Sequence, residues 1–107
     1  ETEISANLAG ALRVKMEEIR QSGSKNFIID LQMCTGIEDS AIPELVALHN
    51  ETYGIDQSLV FTGLAPVVID ALKKDETDLL LNIAPRMDEA IDIVSMEILE
   101  RDLMGED

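Results

Sequence analysis

From Leu8 the apolar residues Leu8, Ala11, Leu12, Met16 and Ile19 recur at steps of three and four, while Arg13, Lys15, Glu17, Glu18 and Arg20 fill the other faces. The spacing predicts an amphipathic helix, stopped at Ser22-Gly23-Ser24 because Gly adopts the left-handed C-terminal conformation that other residues resist. Asn26 to Gln32, centred on Phe27-Ile28-Ile29-Asp30-Leu31, reads as a short buried strand. Beyond a loop holding Cys34, Thr35 and Gly36, a second helix opens at Asp39-Ser40-Ala41-Ile42-Pro43-Glu44. It carries Ile42, Leu45, Val46 and Leu48 on its apolar side, with His49 beside them, and Pro43 fits only near its start. Gly54 marks a turn, Ser58-Leu59-Val60-Phe61-Thr62 a second strand ended by Gly63, and Pro66 to Lys73 a short helix. Asp75 to Asp78 is an acidic turn and Leu79-Leu80-Leu81-Asn82-Ile83 a third strand. Met87, Ala90, Ile91, Val94, Ile98 and Leu99 then give the last helix its apolar stripe. Met96, Leu99 and Leu103 form a second strip on that helix, a contact for a dimer or another partner, and residues 104 to 107 read as a frayed tail.

Strands separated by helices argue for a single α/β domain with a largely parallel sheet, since parallel neighbours need a crossover that is usually a helix. The length of 107 residues suits one core and not two. A hydrophobic fraction of 46% against 28% charged is that of a folded chain. The formal net charge of -14, from 22 acidic and 8 basic residues, repels phosphate and speaks against nucleic acid or anionic membrane as a partner. No apolar run approaches the roughly 20 residues of a membrane span, and the opening residues are acidic and polar, unlike a signal peptide. A lone Cys34 closes no internal disulfide, which makes a reducing cytoplasm the simplest compartment.

Chemistry concentrates at the junction from Asp30 to Ser40, where a hydroxyl stands at a helix start just past a strand's carboxyl end, the place where open α/β sheets seat their sites. A phosphoryl group on Ser40 would meet the positive end of the helix and would add charge to an already acidic surface. The plainer role for Asp39 or Ser40 is that of a helix N-cap.

The same junction resembles the STAS domain family, which includes bacterial anti-sigma-factor antagonists, stressosome proteins and the cytoplasmic tails of sulfate-type anion transporters. The resemblance rests on Asp30-Leu31 ending a strand, hydrophobic Ile37, and Asp39-Ser40 opening a helix. Ser58 to Leu64 with its glycine, Pro66 to Leu72, Asp78 to Ile83 and Met87 to Ile91 follow in the family's order, so that it spans about Ile4 to Leu103. It implies a small, mostly parallel or mixed sheet of about four strands, with about four helices packed largely on one side. It also implies a non-catalytic regulatory domain without cofactor. In antagonist members the serine of the Asp-Ser pair is phosphorylated by an anti-sigma factor that is itself a serine kinase, and the unphosphorylated form sequesters that kinase. By position this makes Ser40 the phosphoacceptor, Asp39 its loop-ordering neighbour, and Glu38, Asp39, Ser40, Ala41 and Ile42 the partner-binding segment. A constitutive assembly module of a stressosome or transporter complex is the alternative within the family. Many members continue Ser-Gly-Leu, whereas Ala41, Ile42 and Pro43 follow here. The family's N-terminal β-hairpin has no counterpart beyond Thr2 to Ser5, so it is expected to be truncated or absent, leaving a sheet edge open.

The other reactive residues are weaker candidates. Cys34 has no Lys, Arg or His beside it to lower its pKa and reads as a small buried hydrophobe, although a small enzyme using Cys34 or the Glu38 and Asp39 carboxylates is the competing class. His49 is the single histidine, too few for a metal cluster or a triad, and reads as partly buried or capping. Glu38-Asp39 and Asp75 to Asp78 lack the oxygen spacing of a calcium loop and read as solvated charge.

Overall fold

Ser5 accepts the backbone N–H of Leu8 at 3.1 Å and thereby caps the first helix, so that the chain turns from a strand into a helix within one residue. The computed structural model describes residues 2–104. Within them strand β1 (Thr2–Ile4), helix α1 (Ala6–Gln21), β2 (Asn26–Asp30), β3 (Cys34–Ile37), α2 (Ile42–Gly54), β4 (Ser58–Thr62), α3 (Pro66–Lys73), β5 (Ile83–Ala84) and α4 (Met87–Met104) follow in order. Single 3-10 turns at Asp39–Ala41 and Thr77–Leu79 precede α2 and β5. The α/β class, the parallel pairing and the four helices agree with the sequence.

The strands form two small sheets, both parallel. β1 pairs with β3, and β4 runs between β2 and β5 with Asn26 opposite Ser58, Ile28 opposite Val60 and Phe61 opposite Ile83. All five residues of β4 are buried, as a central strand covered on both faces requires. Its alternate side chains serve two cores. Leu59 and Phe61 join Phe27 and Ile29 beneath α1, α2 and α3, where Met16, Leu45, Leu48, Val68 and Leu72 complete the larger cluster. Val60 and Ala84 meet Ala90 and Val94 of α4 on the other face. Three helices therefore cover one face and one covers the other.

Four local readings need correction. Cys34, Thr35 and Gly36 are not a loop; with Ile37 they form β3, because Thr2–Ile4 lies alongside and supplies the pairing that four residues cannot find alone. Leu79 to Ile83 is not a five-residue strand. Glu76, in a left-handed conformation, turns the chain into the 3-10 turn Thr77–Leu79, Leu79 and Leu80 face solvent, and only Ile83 and Ala84 reach β4. β2 stops at Asp30, where the carboxylate accepts the Gln32 backbone N–H at 3.0 Å and bends the chain away. In α1, Ala9 and not Ala11 is the buried alanine.

Met104 is the last residue of α4, and residues 105 to 107 of the expected tail lie outside the described residues. Among the described residues no strand pairs with the outer edge of β2, which borders a cleft of about 410 Å³ beside Leu12 and Met16 of α1. Among the same residues no helix is long and apolar enough to cross a membrane.

Gly63 ends β4 with φ at +73°, and a Cβ there would lie 2.5 Å from Asp30 Oδ1. Gly63→Ala should lower stability by about 1–3 kcal/mol through left-handed strain, before any cost of displacing Asp30. Urea titration of the two proteins measures it, and equal midpoints would show that the turn relaxes.

Candidate functional site

Ser40 stands in the middle of the 3-10 turn that links β3 to α2. Two backbone bonds fix this turn: the Glu38 N–H donates to the Ile4 carbonyl of β1 at 2.8 Å, and the Ala41 N–H donates to the Glu38 carbonyl at 3.0 Å. Ala41, fully buried beneath it, and Ile42, half-buried against the larger core, anchor its far end. Glu38, Asp39 and Ser40 are all exposed. The structure thus splits the predicted partner-binding segment, since Ala41 offers no surface and Ile42 turns partly inward.

Neither Asp39 nor Ser40 caps a helix. The residue before the 3-10 turn is Glu38 and the residue before α2 is Ala41, and neither helix start receives a side-chain hydrogen bond. The geometry explains this departure. Inserting a tight turn ahead of α2 moves its true N-terminus two residues beyond Ser40, past Ala41, whose methyl group has no acceptor to offer. Pro43, which has no N–H, sits in the first turn and leaves one less orphan donor to satisfy. The Ser40 side chain is left exposed and caps neither helix start, next to the exposed Glu38 and Asp39 in the chain.

The neighbouring groups have settled roles. Cys34 is buried, and burial pushes its thiol up, which keeps it protonated and poorly nucleophilic near neutral pH. Arg13 of α1 reaches α2, with Nη2 at 3.0 Å from Glu51 and Nη1 at 3.7 Å from Glu44. Among the described residues no three His, Cys, Asp or Glu side chains converge as a metal site. A second cleft, of about 270 Å³, opens at the carboxyl ends of β2 and β4 between Asp30, Thr62 and Arg86. Both Asp30 oxygens there are already engaged by Gln32, and Arg86 lies within 3.5 Å of Asp88 and 3.4 Å of Glu89.

The opposite end of α2 holds a polar cluster that the apolar pattern conceals. Glu97 of α4 accepts from Tyr53 Oη at 2.8 Å, from Ser58 Oγ at 2.6 Å and from Asn82 Nδ2 at 3.1 Å. The Tyr53 hydroxyl also accepts the Leu59 N–H at 3.2 Å and an Asn82 N–H. Arg101 closes the group by donating to Ser58 and, at 3.2 Å, to Asn26 Oδ1. The cluster joins α2, β2, β4, the residue just before β5 and α4. The inward side of α4 is Ala90, Val94, Glu97 and Arg101, at steps of four, three and four. This corrects the expected apolar stripe, for Met87, Ile91, Ile98 and Leu99 are exposed. The signal was present in the spacing and was masked by reading apolar residues alone.

No protein-family model and no curated protein matches the chain.

Burial pushes the Tyr53 phenol up, with the Glu97 hydrogen bond adding to the effect, so the hydroxyl remains a donor at neutral pH. Tyr53→Phe deletes that donor and strips partners from Glu97, Asn82 and Leu59, and should cost about 1–3 kcal/mol by urea unfolding. His49, one turn earlier on α2, stacks on Tyr53 with ring centroids 4.6 Å apart, and its Nδ1 is buried without a partner. Burial lowers its pKa from the ordinary 6.5, only partly offset by the Glu97 charge. The unfolded chain therefore takes up a proton near pH 6.5 that the folded chain refuses until lower pH, so His49 removes stability as pH falls below that value. His49→Gln should reduce the difference between urea midpoints measured at about pH 7.5 and about pH 5.5, and an unchanged difference would refute the assignment.

Proposed function

We propose that this chain is a regulatory protein-binding domain of the STAS type, acting in the cytoplasm as an anti-sigma-factor antagonist whose partner is a serine-kinase anti-sigma factor. The observation that carries the reading is the state of Ser40: an exposed hydroxyl, spent on no helix cap, standing on a turn that β1 and the core hold rigid. A kinase needs an accessible hydroxyl, and Ser40 offers one. The order of the helices and of the central strand also accords with the resemblance that suggested the family.

The switch follows from electrostatics. A phosphoryl group brings about 1.5 to 2 negative charges at neutral pH. It would arrive next to the exposed Glu38 and Asp39, on a chain whose formal net charge is already -14. A partner that docks on this turn must strip its water, and desolvating a dianion among carboxylates opposes docking far more than desolvating a hydroxyl. The unmodified form therefore binds and the modified form releases. Ile42, where many STAS sequences have glycine, is folded partly against the core and so leaves the approach to Ser40 open.

Peptide-level mass spectrometry of the protein from its own cells should find one phosphoryl group on the peptide containing Ser40, and none there in Ser40→Ala. Because the side chain caps neither helix start, Ser40→Ala should shift stability by no more than about 0.5 kcal/mol, whereas Ser40→Asp should release the partner that Ser40→Ala retains. An unmodified Ser40 under every growth condition, with partners still co-purifying, would replace the switch by a constitutive assembly module.

A further inference from the structure

Helix α4 carries large apolar side chains where its packing does not call for them. Its inward side is fixed by Ala90 and Val94 against Val60 and Ala84, and by Glu97 and Arg101 in the polar cluster. At roughly 100° per residue, Met96, Leu99 and Leu103 lie on the far side of the helix. They are 58%, 51% and 64% exposed. Their spacing of three and then four residues makes a straight seam, the pattern by which one helix receives another.

The seam has acidic borders. Glu100 and Asp102 flank it within the same turns, and Asp92 lies on an exposed position toward the N-terminal end. No cation of α4 offsets them outwardly, because Arg101, its one basic residue, donates inward to Ser58 and Asn26. On the other side of the helix, at the end of α2, a cleft of about 370 Å³ is lined by Tyr53, Asp56, Glu97, Glu100, Arg101 and Met104. A second copy of this chain would bring the same carboxylates opposite these, on a body of formal net charge -14, and like charges brought together disfavour that pairing.

We propose that the outer face of α4 is a docking surface for a basic amphipathic helix, whose apolar residues cover Met96, Leu99 and Leu103 while flanking Lys or Arg side chains meet Glu100, Asp102 and Asp92. This surface is separate from the Ser40 turn, and its occupant need not be the partner that docks there. Apolar contact supplies the adhesion, and the acidic borders select the sign of the partner and speed its arrival.

The probe is a synthetic helical peptide of leucine and lysine, with leucines at i, i+3, i+4 and i+7, titrated calorimetrically into the full chain. Saturable binding is expected, weakening as salt rises, and lost for the same peptide with glutamate in place of lysine. Leu99→Glu with Leu103→Glu should weaken it by about tenfold or more, a change of about 1.4 kcal/mol. Both side chains are exposed, so the doubly substituted protein should keep the urea midpoint of the parent within about 0.5 kcal/mol. In the unsubstituted protein, amide chemical shifts should move along the C-terminal half of α4 and leave the Ser40 turn unmoved. Absence of binding, equal affinity of parent and substituted protein, or shifts centred elsewhere would overturn the assignment. So would sedimentation showing a dimer of this chain that Leu99→Glu dissociates.

Discussion

Strand β4 is hydrogen-bonded along both edges and covered on both faces, and most other elements take their position from it. Five consecutive buried residues leave its backbone no access to water, so β2, β5 and the Tyr53 hydroxyl must supply its partners and helices must close both sides. Alternation along the strand then assigns work to each face. Leu59 and Phe61 hold the three-helix layer, Val60 meets α4, and Ser58 opens the polar cluster. Because the pairing is parallel, all the strands of its sheet end on the same side, and Gly63 and Asp30 meet there closely enough to exclude even a methyl group.

The elements with a strong period were legible before any coordinates. α1 and α2 follow the helical spacing of their apolar residues, α3 was marked by Pro66 after Gly63, and Ser58–Thr62 stood out as a continuous β-rich run between glycines. What the pattern could not show were features that depend on distant neighbours. Cys34–Ile37 becomes a strand because Thr2–Ile4, far earlier in the chain, lies beside it. Leu79 to Leu81 has the composition of a strand without its geometry, since Leu81 alone turns into the core while Leu79 and Leu80 remain outside. α4 misled in the opposite sense, its abundance of Met, Ile and Leu hiding the fact that the residues facing the sheet include a carboxylate and a guanidinium.

The site was legible in its address and not in its chemistry. The Asp39-Ser40 pair does stand between a strand end and a helix. Whether its hydroxyl was occupied could not be read, because a cap depends on where the helix begins, and a 3-10 turn moved that beginning past Ala41. The same shift buried Ala41 and exposed its two predecessors. One tight turn thus separates side chains that anchor the segment from side chains that face outward, although they are adjacent in sequence.

The attachment of α4 has a character of its own. Its apolar contact is made by Ala90 and Val94 with the half-buried Ile93, and a contact of so few side chains would by itself tolerate sliding or rolling of the helix. Glu97 and Arg101 do not tolerate it, because their partners on α2, β2 and β4 accept one rotation and one axial position only. The joint is keyed and not greased. Whatever the outer face of α4 presents is therefore held at a fixed phase relative to the sheet, as the teeth of a gear are fixed by the slot in its shaft.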